Sequence, residues 1–120
     1  MGLVGLAAML GVAGCPVVLV GAGAVGGYAV SRDRVDLTLE RPYDQVWSAC
    51  LEETKRMGLL RNVDEKVGRI EAVNQGAHLV VTLQRLTETT VKVTVRARKA
   101  LLPKVELAQQ LAARIAKRVG

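Results

Sequence analysis

Charge divides this chain in two. No residue from Met1 to Val30 carries one, while all 17 Lys and Arg and all 11 Asp and Glu come after Val30, beginning at Ser31-Arg32-Asp33-Arg34. An uncharged apolar opening of this length is a membrane-directed segment, a tether, or one after the other, and not part of a solvated domain surface. The folded part must therefore come from the charged remainder. Of 120 residues, about 90 remain once such an opening is set aside, enough for one small domain. The 50% hydrophobic content is inflated by that opening.

The apolar opening runs through the small residues Val12-Ala13-Gly14 directly into Cys15. This resembles the lipobox of bacterial lipoproteins, in which an aliphatic residue, two small ones and a cysteine mark where a signal peptide is removed and the cysteine is acylated. The resemblance implies that residues 1–14 are a signal peptide and that Cys15 is the lipidation site. Residues 15–34 are then a lipidated, glycine-rich spacer and residues 35–120 the folded domain. It also implies a membrane partner held through acyl chains. Pro16 stands after the cysteine where Asp is associated with inner-membrane retention, which favours the outer membrane, facing the periplasm. One departure stands: a secretory signal carries Lys or Arg ahead of its apolar region, and residues 1–14 hold neither. That departure bears on where translation starts more than on the resemblance. Eukaryotic myristoylation fails, because it needs Ser or Thr at the position of Leu6.

Two other readings compete for the same stretch. Val17 to Val20 with Gly21, Gly23 and Gly26 behind them has the spacing of a dinucleotide loop, with Glu40 near the position of a ribose-binding carboxylate. Against it, Gly27 would interrupt the helix such a loop must open, and the chain is short for a doubly wound sheet. Alternatively, Gly2 to Val30 is long enough for an uncleaved inner-membrane helix, with Arg32 and Arg34 holding the rest of the chain in the cytoplasm.

After Arg34 the pattern is regular. Val35 to Glu40 alternates apolar and polar as a half-buried strand. Pro42 then opens a helix in which Tyr43, Val46, Trp47, Cys50, Leu51, Thr54 and Met57 share one face, with Glu52 and Glu53 on the solvated side. Gly58 ends it. Leu59–Val63 and Arg69–Val73 read as short strands, Asn74-Gln75-Gly76 as a turn, and 78–86 and 90–98 as alternating strands. Pro103 opens a last helix with an apolar stripe through Leu107, Ala108, Leu111, Ala112, Ile115 and Val119. Two helices and several one-sided strands are most economically buried as an α+β two-layer sandwich. The expectation is an antiparallel sheet of four or five strands with both helices on one face.

Leader, glycine-rich spacer with Tyr28, strand, and a helix opening on Pro42-Tyr43-Asp44-Gln45-Val46-Trp47-Ser48-Ala49 together resemble a family of short bacterial lipoproteins catalogued as a domain of unknown function. The resemblance implies a cell-envelope location and this α+β order, and no catalytic residue.

The residues give little chemistry of their own. His78 is the single histidine and has no second ligand at metal spacing. Cys50 and Trp47 sit on an apolar stripe, where core packing explains them. No enzyme, cofactor or metal site is expected. The net charge of +6 invites nucleic acid, but Tyr28, Tyr43 and Trp47 are the only aromatic residues and offer no stacking platform. The basic surface suits an acidic envelope component or anionic headgroups instead. Its candidate is the outward row Lys92, Arg96 and Arg98, with Arg69 and Arg85 as neighbours and Asp36, Glu40 and Glu71 as counter-charges.

Overall fold

A computed structural model of the chain describes residues 25–100 and 102–119. The first strand, β1 (Val25–Val30), lies inside the stretch expected to be spacer. It pairs antiparallel with β2 (Arg34–Leu39), Tyr28 opposite Leu37 and Val30 opposite Val35. The sheet thus begins ten positions before the expected domain start at residue 35. This strand also limits both competing readings where they reach into it. A dinucleotide loop must run into a helix after its third glycine, whereas Gly26 stands within β1. A membrane helix cannot extend to Val30 for the same reason. Gly21 and Gly23, like Cys15, precede the described residues.

Along β2, Val35, Leu37 and Leu39 are fully buried and Arg34, Asp36 and Thr38 are not, as the alternation requires. Helix α1 (Tyr43–Met57) comes next, its first turn closed by the Pro42 carbonyl accepting from the Gln45 and Val46 amides. It buries Val46, Trp47 and Cys50 toward the sheet, but also Ala49 and Glu53. A second helix covers that other side, so Glu53 is not on a solvated face as periodicity alone suggests. Gly58 ends α1 in an extended conformation and not in the left-handed one usual for such a glycine. The need for glycine there is steric: a Cβ would stand 2.7 Å from the Val73 carbonyl oxygen.

Four strands then form a meander: β3 (Leu59–Asp64), β4 (Arg69–Asn74), β5 (Ala77–Thr87) and β6 (Thr90–Lys99). Gln75 and Gly76 both have positive φ, the backbone of a two-residue hairpin turn whose twist matches the strands. The strand order is β1-β2-β6-β5-β4-β3, with every pair antiparallel. In that order β2 and β3 run in the same direction. A tight turn cannot join such strands, so α1 carries the chain across one face. A short β7 (Leu102–Pro103) pairs with the end of β6, making seven strands where four or five were expected. Pro103 therefore sits in a strand, opposite Arg98, and does not open the last helix. That helix, α2 (Val105–Val119), starts after Lys104, whose amide still donates to Ala97.

Both helices lie on the same face of the sheet. Ala108, Leu111, Ala112 and Ile115 of α2 join Val46, Trp47 and Cys50 of α1 over Val35, Leu37, Leu39, Leu79, Val81, Val91, Val93 and Val95 in one core. Among the described residues the architecture is α+β: an antiparallel sheet, two helices, and one sheet face that neither helix covers.

Candidate interaction face

Strand alternation and register together determine what the uncovered face displays. Residues directly opposite on neighbouring strands lie about 5 Å apart. One row across the sheet reads Asp36, Thr94, Thr82, Arg69; the next reads Arg34, Arg96, Val80, Glu71; a third reads Thr38, Lys92, Gln84. Around the first two rows and Lys92 lies an open hollow of about 410 Å³ lined by Arg34, Asp36, Arg69, Val80, Thr82, Lys92, Thr94 and Arg96.

The charges in this hollow do not cancel. Asp36 takes an ion pair from Arg34 at 3.7 Å and a hydrogen bond from the Thr94 hydroxyl at 2.9 Å. Glu71 receives Arg69 Nε at 2.6 Å. Both carboxylates are thereby occupied, and among the described residues neither Lys92 nor Arg96 has one within ion-pair distance. Arg96 instead faces Arg34 directly across the β2–β6 ladder. Like charges opposite one another cost stability, so the arrangement is electrostatically frustrated.

Lys92 and Arg96 are thus brought together as expected, and Arg69 joins them. Arg98 is on the same face but lies farther along β6, opposite His78 and Pro103 and outside the hollow. Arg85 does not belong: in phase with buried Leu83, it places its guanidinium 4.8 Å from the centre of the Tyr43 ring on the helix side. Arg34 was missed because the charged break before Val35 reads as a boundary; it is the first residue of β2.

A second basic groove lies between the helices, lined by Glu53, Arg56, Arg114, Lys117 and Arg118. Here a carboxylate is already in place. Glu53 accepts a hydrogen bond from Arg118 Nε at 2.5 Å, with Arg114 at 3.9 Å and Arg56 at 4.0 Å. Its side chain is 9% exposed, so it acts as a clasp joining α1 to α2.

The remaining candidates are structural. Cys50 is a free thiol, fully buried, and burial pushes its pKa up, away from the thiolate that nucleophilic chemistry needs. Trp47 is buried in the core, with the Tyr43 ring stacked 6.4 Å from it. Burial chiefly, and then Glu65, raise the Tyr43 pKa, while Arg85 opposes them. His78 is exposed on the uncovered face. Among the described residues no three His, Cys, Asp or Glu side chains stand close enough to hold a metal ion, and no helix is long and apolar enough to cross a membrane.

One protein family model, described as "Protein of unknown function (DUF3568)", matches residues 1–100. No curated protein matches the chain.

Proposed function

The chain belongs to this family of unknown function, and from that premise we propose that it is a lipid-anchored protein of the bacterial cell envelope with a non-enzymatic interaction role. In this reading residues 1–14 are removed, Cys15 is acylated, and the domain is held at the outer membrane facing the periplasm. The observation that carries it is positional: Val12-Ala13-Gly14-Cys15 precedes the first described strand by only residues 16–24. A lipobox-like cysteine so placed yields a folded domain on a short leash. More than one acyl chain makes such an anchor stable where one would not.

The interaction role is supported by the uncovered basic face, which presents unneutralised Lys92 and Arg96 to the surroundings. Two groups able to do chemistry are engaged elsewhere: Cys50 in the core, Glu53 between arginines. Membrane fractionation tests the proposal. The wild-type protein should stay with the membrane pellet through high-salt and carbonate washes, and Cys15→Ala should accumulate at its precursor size. Identical processing and partitioning of both would contradict it.

A further inference from the structure

The uncovered face has a geometry that identifies what it meets. Residues 16–24 reach at most about 30 Å when fully extended, roughly the diameter of a domain this size. A domain leashed at Cys15 therefore cannot leave the bilayer surface by more than about its own width. The leash enters at Val25, opposite Leu39 at the edge of the sheet. Two residues on, Gly27 begins the row that continues through Thr38 to Lys92. The attachment point thus lies at the edge next to β2, with Lys92 the nearest basic residue of the face and Arg34 and Arg96 toward the other end of β2. Among the described residues the helices occupy the other face and leave this one open.

We propose that this face docks on the anionic phospholipid surface that holds Cys15, with Arg34, Arg69, Lys92 and Arg96 meeting lipid phosphates. The inference rests on the anchoring reading above and adds to it an orientation and a ligand. Anionic headgroups resolve the frustration of the face: phosphate oxygens placed between Arg34 and Arg96 turn a repulsive pair into a shared site. The favourable charges point the same way, since each Lys or Arg near an anionic bilayer strengthens attachment roughly fivefold. That attraction falls off within a Debye length of about 10 Å, less than the leash's reach, so the leash keeps the domain near the bilayer and the charges select the face that turns to it. A soluble acidic protein or polymer would satisfy the charges but does not account for the shortness of the leash.

The experiment uses the full-length acylated protein reconstituted in vesicles of phosphatidylcholine, alone or mixed with phosphatidylglycerol. A fluorophore is placed on Gln84→Cys, on the open face, or on Ser48→Cys, on the exposed side of α1. Quenching by a headgroup-labelled lipid then reports which face lies down. Docking predicts quenching several-fold stronger at position 84 than at 48 in phosphatidylglycerol vesicles only. Lys92→Glu/Arg96→Glu and high salt should each abolish the difference. Equal quenching at the two positions, or the same pattern on phosphatidylcholine alone, overturns docking while leaving the anchor intact. So does tight capture of polyglutamate with no response to headgroup. A mass lacking the diacylglycerol increment overturns the anchor itself, and the docking with it.

Discussion

Glu53 carries more of the helix–helix contact than its sequence position suggests. Its nearly buried carboxylate holds Arg118 at hydrogen-bond distance and draws in Arg114 and Arg56. Removing its charge leaves these guanidinium groups crowded around a neutral amide. We expect Glu53→Gln to lower stability by about 1–3 kcal/mol, the worth of a charged hydrogen bond at a partly buried site. Urea unfolding monitored by Trp47 fluorescence measures it, and an unchanged midpoint would contradict the clasp. Two titrating groups act in the same sense as each other. The Cys50 thiol and Tyr43 phenol ordinarily ionise near 9.0 and 10.0, and burial raises both in the fold. Above pH 9 the unfolded chain therefore binds fewer protons than the native one, so stability falls as pH rises. Thermal midpoints should drop as the pH rises above that range. Correspondingly, a thiol reagent should react with Cys50 in the native protein only at the rate of unfolding.

At the scale of elements, the strain lies between β2 and β6. Arg34 opposite Arg96 costs stability, whereas an opposite-charge pair in that register contributes about 0.2–1 kcal/mol. Arg96→Glu should therefore leave the thermal midpoint unchanged or raise it; a fall of several degrees would mean that Arg96 is structural and not part of a binding face. The same strands show what was legible in advance. Alternation located Val35 to Leu39, both long strands of the meander, and the inward set of Val91, Val93 and Val95, because a one-sided core imposes period two. It failed at β1, where Gly26, Gly27 and Ala29 give no contrast between faces and the glycines read as tether. Helical periodicity found the sheet-facing stripe of α1 but not Glu53, since a second buried side appears only when another helix packs there. Arg85 was readable by phase with Leu83. The doublet of Arg34 and Arg96 was not, because cross-strand register depends on which strands become neighbours.

The molecule as a whole joins an anchor-like cysteine to a two-layer domain through a few residues, with its unsatisfied positive charge on the one sheet face left open. Each helix is committed to the core and to the other, and Asp36 in the hollow and Glu71 beside it are both engaged on that face. What remains free to interact among the described residues is a surface, and in the proposed anchoring the tether from Cys15 would determine where that surface can be. Everything functional here depends on Cys15 being the end of the mature chain and carrying lipid. The direct measurement is the intact mass of the membrane-extracted protein, wild type beside Cys15→Ala. The wild-type chain should begin at Cys15 with a diacylglycerol increment, and the mutant should show neither the cleavage nor the increment. An unmodified wild-type chain still beginning at Met1 would contradict the lipid anchor and everything built on it.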